Sequence, residues 1–370
     1  MRVLFVDVGQ GTCQVILTGD RKAIVIDTGS HPRTVIRTLR LFRIETIELL
    51  CVSHSHTDHS GGAAYKKKQS KKKRNRKLRP STTMGVLAHY QDAIERVAYV
   101  PDVDLPKSQF GKLLAQLIKD GKLLRENVEQ ITRKRKPEVL WQRGETVLTA
   151  LSPLGGTVVG AMVGSNANAS SAILELRHRG DRIVFAADSE YQQWRDIFRL
   201  RGNRVLNCHA ITLPHHGGLM HGTTADLEWF TSSAVQAEVV VVSVGTRNGH
   251  EHPRPEPIRA LAAIGAQIVC TQITEQCCAD LESCRPGVMG VPRYPCRSSS
   301  TKDVKKKKTK AGGSIERSHN VACASTIAVR LTEIGFEFER LDAHRDGVDR
   351  LVAEGHSPLC RVTSAHSAER

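Results

Sequence analysis

Short apolar segments rich in β-branched residues recur along the whole chain, and most are followed by a turn or by a helical stretch. Those of the first half span residues 3–8, 13–17, 23–26 and 49–52, and those of the second half span residues 146–151, 172–176, 183–186, 209–213, 239–244 and 267–270. Continuous apolar runs of this length are typical of buried strands. Helical spacing of apolar residues lies between several of them, over residues 34–42, 91–97, 110–118, 192–200, 225–230 and 257–264. The alternation predicts an α/β fold built of packed layers.

Positive charge is concentrated in two tracts. The chain has 54 Lys and Arg against 38 Asp and Glu, a formal net charge of +16. Residues 66–79 carry ten positive charges and no negative one, and residues 302–310 carry six positive charges and one negative one. Fifteen of the sixteen net charges therefore lie in the tracts, which excludes a uniformly basic protein. A hydrophobic content of 40% and a mean hydropathy of −0.30 exclude a disordered chain.

Length alone suggests about two domains, but α/β chains often exceed that length as one domain, and the pattern along the chain suggests one body with insertions. We expect the body over residues 1–273 with the basic loop 66–79 inserted, a Cys- and Lys-rich insertion over 274–318, and the final strands and tail of the body over 319–370. No run of about 18 apolar residues occurs, so no membrane insertion is expected. The chain starts directly in a strand-like segment without a signal peptide pattern, which indicates a cytoplasmic protein.

The ten cysteines are then expected to be reduced thiols. Several cluster in the later part of the chain, at Cys270, Cys277, Cys278, Cys284, Cys296, Cys323 and Cys360. A structural zinc site and a set of core or loop thiols are both open interpretations, because no Cys-x-x-Cys pair is present.

A histidine-rich segment directly follows the strand-like run 49–52. It contains His54, His56, Asp58 and His59 within six residues. Imidazole and carboxylate are ligands that suit zinc and similar divalent ions. In a loop that leaves a strand, His54 and His56 can face one ion while Asp58 and His59 face a neighbouring one. The alternative is a polar surface loop, which this spacing makes the weaker interpretation.

Two further groups follow later strands in the same manner. Asp188 comes after the run 183–186, and His215 and His216 come after the run 209–213. Sites in α/β proteins are commonly built just past strand ends. Each group alone is weak evidence, but together with the histidine segment they predict one metal centre.

These residues resemble the metallo-β-lactamase family, and the surrounding motifs resemble its ComEC-type competence branch, which is associated with DNA uptake. The motifs are His54-x-His56-x-Asp58-His59, Asp7-Val8-Gly9-Gln10-Gly11, Ile26-Asp27-Thr28-Gly29, Asn168-x-x-Ser171, Leu213-Pro214-His215-His216-Gly217 and His252-Pro253. The resemblance covers roughly residues 1–273. It implies a four-layer αββα sandwich with two divalent ions, Zn or Mn, at one edge.

The resemblance also implies residue roles. One ion would lie on His54 and His56, a second on Asp58 and His59, with Asp188 between them and His215 or His216 on one of them. The residues implied to support these ligands are Asp7, Asp27, Asn168 and Ser171. The sequence departs from the family where Ala187 replaces the usual Gly before Asp188, and where Gly218 replaces a frequent Ser. Asn168 and Ser171 stand where many members carry a third histidine for the first ion.

Such a centre predicts hydrolysis by a hydroxide that two ions activate, with catalytic roles for Asp58, Asp188 and His252. His252 is either an acid or phosphate contact, or a brace for the loop before Pro253. The expected substrate is DNA, in uptake or anti-phage defence, possible partners being proteins of the same operon. The candidate nucleic-acid-binding residues are Lys66, Lys67, Lys68, Lys71, Lys72, Lys73, Arg74 and Arg76.

Three alternatives remain. The basic tract is either a phosphate-binding element or only a solvated loop. The protein is either an enzyme or a degenerate scaffold that binds or senses a partner. If it is an enzyme, small esters, lactams or peptides are alternative substrates.

Overall fold

Two β-sheets packed face to face form the centre of the protein. The computed structural model describes residues 1–64, 85–132, 136–154, 167–246, 248–278, 293–297, 307–308, 314–315 and 320–361. Helices cover the outer face of each sheet, so the layers follow the order αββα. The predicted α/β sandwich is confirmed. Within the described ranges, no helix is both long and apolar enough to cross a bilayer.

The first sheet has eight strands in the order β17-β16-β1-β2-β3-β4-β5-β6. Their bounds are Arg2–Phe5 (β1), Gln14–Gly19 (β2), Lys22–Ile26 (β3), Thr46–Val52 (β4), Val97–Tyr99 (β5), Val128–Gln130 (β6), Ile327–Thr332 (β16) and Gly335–Phe338 (β17). Strands β3 to β6 are parallel, and the pairs from β17 to β3 are antiparallel.

The second sheet has seven strands in the order β13-β12-β11-β10-β9-β8-β7. Their bounds are Glu138–Arg143 (β7), Thr146–Ser152 (β8), Ile173–His178 (β9), Asp181–Phe185 (β10), Leu206–Thr212 (β11), Val235–Val242 (β12) and Gln267–Cys270 (β13). Strands β10 to β13 are parallel. A separate ribbon pairs Lys307–Lys308 (β14) with Ser314–Ile315 (β15).

The helices connect these strands. Their bounds are Pro32–Leu41 (α1), Thr57–Ser60 (α2), Val86–His89 (α3), Gln109–Lys119 (α4), Tyr191–Leu200 (α5), Thr224–Trp229 (α6), Pro255–Ala263 (α7) and Leu341–Ala353 (α8). Helices α1 and α4 bury their apolar sides on the first sheet, and α5 to α8 bury theirs on the second.

Alternate residues of one strand serve different cores. Val3 and Phe5 of β1 lie in the core between the sheets, whereas Leu4 faces the core beneath the helices. All three side chains are fully buried. Because successive side chains of a strand point to opposite faces, a strand covered on both sides must be apolar at every position. The continuous apolar runs in the sequence follow from this arrangement.

The prediction of a helix over residues 91–97 is wrong. The short helix α3 ends at His89, and β5 begins at Val97 and pairs in parallel with β4. Only three residues long, β5 is too short to show a strand pattern of its own. Its neighbours in the sheet, and not local spacing, determine its conformation.

Candidate metal centre

Three chain segments leave strands at the same edge of the sandwich and meet there. After β4, the chain passes through His54 and His56 into α2, which carries Asp58 and His59. In the second sheet, β10 leads to Asp188 and β11 leads to the turn Pro214–Gly217. Parallel strands end at a common edge, so the fold brings side chains together that are 134 positions apart in the case of His54 and Asp188.

His54, His59, Asp188 and His216 form a buried quartet. His59 Nε2 lies 3.0 Å from Asp188 Oδ1, and His54 Nε2 lies 3.8 Å from Asp188 Oδ2. His216 Nε2 lies 3.6 Å from Asp188 Oδ1 and 3.3 Å from Asp58 Oδ2. Asp188 is therefore central to the ligand atoms, and Asp58 joins them from the rim with a side chain that is 29% exposed.

The quartet fits divalent metal ions. His54 Nε2, His59 Nε2, His216 Nε2 and Asp188 Oδ1 are buried and have no hydrogen-bond partner among the described residues. Leaving one such polar atom unsatisfied costs about 1 to 3 kcal/mol, so four converging on one point need a common partner. Ligand atoms within 4.8 Å of one another form two triads, His54–His59–Asp188 and Asp58–His59–His216. Imidazole nitrogens and carboxylate oxygens are a donor set that zinc, iron and manganese accept.

Hydrogen bonds to the Nδ1 atoms orient the histidine rings so that their Nε2 atoms face Asp188. Asp27 accepts a hydrogen bond from His59 Nδ1 at 2.8 Å, and the Ser243 carbonyl accepts one from His216 Nδ1 at 2.9 Å. A carbonyl can only accept, so Nδ1 of His216 carries the proton and Nε2 of the neutral ring has a free lone pair. His54 Nδ1 lies 3.1 Å from Ser171 Oγ and 3.2 Å from Ser53 Oγ. Such support fixes the tautomer that a metal ligand needs.

Burial and the neighbouring charges shift the pKa values of the quartet histidines in opposite directions. Burial lowers the pKa of His59, but the carboxylates of Asp188 and Asp27 outweigh burial and raise that pKa well above its ordinary value. Burial similarly lowers the pKa of His216, while Asp188 and Asp58 raise it further than burial lowers it. Burial and the neighbouring His59 lower the pKa of His54 to about 3. Without metal, protons occupy part of the ligand set.

Sequence comparison identifies the family. The family model of the metallo-beta-lactamase superfamily matches residues 6–221, more than half of the chain. The chain belongs to the metallo-beta-lactamase superfamily. Its fold is that of metal-dependent hydrolases, and its buried His and Asp clusters suit a two-metal site. No curated protein matches the chain in sequence.

Several solved structures resemble this chain at low sequence identity. The metallo-beta-lactamase fold protein YhfI from Bacillus subtilis is 11% identical to this chain, with a TM-score of 0.41. The match covers 73% of this chain and 96% of that one. CmlA, a diiron β-hydroxylase from Streptomyces venezuelae, is 15% identical with a TM-score of 0.41, over 72% and 52%. Zinc-bound PqqB from Methylobacterium extorquens is 9% identical with a TM-score of 0.38, over 73% and 98%.

The adjacent histidines His215 and His216 lie in different surroundings. His216 joins the quartet, whereas His215 is half-buried and its Nε2 lies 3.5 Å from the amide nitrogen of Asn168. The ring of His215 lies 5.4 Å from that of His252. Burial, His215 and His216 lower the pKa of His252 to about 4, so this ring is neutral near pH 7. His56 lies beside the quartet, with its ring centroid 4.6 Å from that of His54.

Gly218 and Gly11 allow close approaches at the centre. A Cβ atom at Gly218 would lie 2.5 Å from Cε1 of His252, which is why a serine does not fit there with His252 in this position. A Cβ atom at Gly11 would lie 2.3 Å from the carbonyl oxygen of Asp58, and Gly11 has a φ of +127°. Ala187, in contrast, adopts a φ of +47° although it is not glycine. This conformation costs an alanine about 1 kcal/mol.

Asp7 lies at the base of the turn after β1. Its Oδ1 accepts hydrogen bonds from the backbone of Gly9 and from the side chain of Gln272, at 3.1 and 2.6 Å. The neighbouring Gln10 in turn accepts a hydrogen bond from Gly245 N at 3.2 Å. Asp7 thus fixes the turn that carries Gln10 to the second sheet.

Sequence reasoning missed four residues that hold the ligand loop. Thr12, Ser53 and Ser243 hydrogen-bond to Asp27 or to a histidine of the quartet. Asp102, which follows β5, accepts hydrogen bonds from Ser55 N and Oγ at 2.6 and 2.7 Å. The sequence signal that could have identified Asp102 is its position as a carboxylate just past the end of a strand. The basic residues Lys66, Lys67, Lys68, Lys71, Lys72, Lys73, Arg74 and Arg76 lie outside the described residues.

Proposed function

We propose that this protein is a metal-dependent phosphodiesterase that cleaves DNA. The observation that carries the proposal is the position of the tract 66–79 in the chain. The tract begins seven residues after His59, a member of the buried quartet. One short stretch of chain therefore supplies both metal ligands and ten positive charges.

The flanks of the tract support this interpretation. The backbone N–H of Val86 donates to the carbonyl of Gly62 at 2.9 Å, so the chain leaves and returns at one point beside the ligand loop. The ten charges lie in the stretch of chain between these two flanks. Polycations attract phosphates without sequence preference and in a salt-dependent way. Residues 66–79 contain no aromatic side chain, which favours backbone contacts over base stacking.

The residues of the centre suit hydrolysis of a phosphodiester. Two bound divalent ions would supply Lewis-acid stabilisation of the charge that develops on the phosphate. The residues that would hold them are His54, His56, Asp58, His59, Asp188 and His216. Asp58, which is partly exposed, is the carboxylate that can accept a proton from a nucleophilic water. We expect His252, whose ring is neutral near pH 7, to contact the phosphate rather than to donate a proton.

The test measures cleavage of supercoiled plasmid and of single-stranded DNA by protein loaded with Mn²⁺ or Zn²⁺. Wild-type protein should cleave, and His216→Ala should lose about 100-fold or more of the rate. His178→Ala is the matched control, because His178 ends β9 at the opposite edge of the sheet. Intact DNA with both metals would refute the proposal. DNA that binds but stays intact would instead favour a binding module.

The role of the basic tract is tested separately. Replacing the ten cations of residues 66–79 with glutamine should weaken DNA binding and reduce the salt slope by about 0.9 per lost phosphate contact. Hydrolysis of a small chromogenic phosphodiester should not change. Glutamine at the exposed Lys112, Lys119 and Lys122 is the charge control. If DNA binding and its salt slope are the same in both variants, the tract is only a solvated loop.

A further inference from the structure

A second cluster of metal-ligand side chains lies outside the centre described above. Cys270 ends β13, Cys323 precedes β16, His344 is on α8 and Cys360 follows that helix. All four are buried. They come from segments up to 90 positions apart in the chain, with the Cys270 and Cys360 thiols in contact. No part of the proposed DNA hydrolysis uses them.

The ligand atoms of this cluster lie close together. Cys270 Sγ lies 3.3 Å from Cys360 Sγ, and Cys323 Sγ lies 3.3 Å from His344 Nε2. The ligand atoms of Cys323, His344 and Cys360 all lie within 4.8 Å of one another. With Zn–S bonds of about 2.3 Å, ligand atoms around a tetrahedral zinc are about 3.6 to 3.8 Å apart. Cys323, His344 and Cys360 therefore lie close enough to share one ion, and Cys270, whose Sγ contacts that of Cys360, is the candidate for the fourth ligand.

A disulfide accounts for the cluster less well. The sulfurs of Cys270 and Cys360 are 3.3 Å apart, compared with about 2.05 Å in a disulfide, and both cysteines are free. A bond between them would leave Cys323 and His344 facing each other without a role. Ordinary packing of thiols as small apolar groups does not explain why an imidazole nitrogen points at them.

We propose that Cys270, Cys323, His344 and Cys360 bind a structural zinc ion. The site would join the edge strand β13 of the second sheet to the segment that leads into β16 of the first. It would also fix the chain after α8, since Cys360 is its last ligand. Three thiolates and one imidazole are a closed ligand set without an open position, which is typical of structural sites.

Zinc analysis of full-length protein purified without chelator tests this site independently of the DNA-cleaving centre. In a His54→Ala, Asp58→Ala, His216→Ala background, about one zinc per chain should remain. Adding Cys323→Ser and Cys360→Ser should remove it, whereas adding Cys208→Ser should not. Cys208 is the matched control, because it is a buried cysteine of the same sheet, on β11.

Cobalt substitution of the wild-type chain gives a second measurement that does not depend on variants. Sulfur ligation should produce a thiolate-to-cobalt absorption in the near ultraviolet, which the nitrogen and oxygen ligands of the first centre cannot give. Zinc absent from the background variant together with no such band would overturn the proposal. A Cys270–Cys360 disulfide in peptides from anaerobically purified protein would overturn it as well.

Discussion

Asp27 holds the ligand loop in place through several hydrogen bonds. Its carboxylate accepts hydrogen bonds from Ser53 N, Ser53 Oγ, Thr12 Oγ1 and His59 Nδ1, at 2.8, 2.7, 3.1 and 2.8 Å. Burial raises its pKa, but His59 and the bonds from Ser53 lower it below the ordinary value. The residue is therefore ionised at neutral pH and holds the ligand loop and one ligand at once.

Asp27→Asn should lower the affinity of the centre for metal by about 10- to 100-fold. An amide offers one acceptor where the carboxylate offers two, so His59 would turn its Nε2–H towards the metals. Competition with a chromogenic chelator measures the affinity. Thr12→Val, which removes a single neutral donor to the same carboxylate, should have a smaller effect. Equal affinity in wild type and Asp27→Asn would contradict this role.

Strand β16, from the last part of the chain, pairs with the first strand of the chain. It pairs antiparallel with β1, in the register Val3 with Val329 and Phe5 with Ile327. Ile327, Ala328 and Val329 are buried. The family match ends at residue 221, so this strand lies beyond the matched region and still closes the first sheet.

A chain that ends at residue 319 should therefore aggregate or unfold. Removing β16 and β17 exposes the edge of β1 and its apolar neighbours. Each fully buried aliphatic side chain contributes about 1.5 to 3 kcal/mol, against a total stability of about 5 to 15 kcal/mol. Size-exclusion chromatography and thermal melting by circular dichroism measure the outcome, and a chain ending at residue 361 is the control. A monomeric, cooperatively melting 1–319 chain would contradict the prediction.

At the scale of the molecule, the two sheets bring opposite charges into one buried place. His59 comes from the first sheet, and Asp188 and His216 come from the second. The carboxylates raise the pKa values of His59 and His216 above 6.5, so each metal ion must displace protons. Metal binding is therefore linked to pH.

Metal affinity should rise as the pH increases through 6.5 and above. Below that pH both histidines hold protons that compete with metal, and each displaced proton changes the affinity by up to about tenfold per pH unit. Isothermal titration in buffers of different ionisation enthalpy measures the affinity and the protons released. His252→Ala should keep the same dependence, because His252 is already neutral there. An affinity that is constant between pH 6 and pH 8 would be inconsistent with this linkage.

The sequence by itself determined the buried strands, the layered α/β class and the ligand residue types, because these depend on local composition and on short spacings. It could not decide which of His215 and His216 enters the quartet, because that depends on the left-handed backbone conformation of consecutive residues after β11. Nor could it bring Cys270, Cys323, His344 and Cys360 together, because no short spacing links them. Only the packing of α8 on the second sheet places His344 among these thiols. Contacts between distant segments follow from the whole set of buried surfaces, and only the tertiary structure decides them.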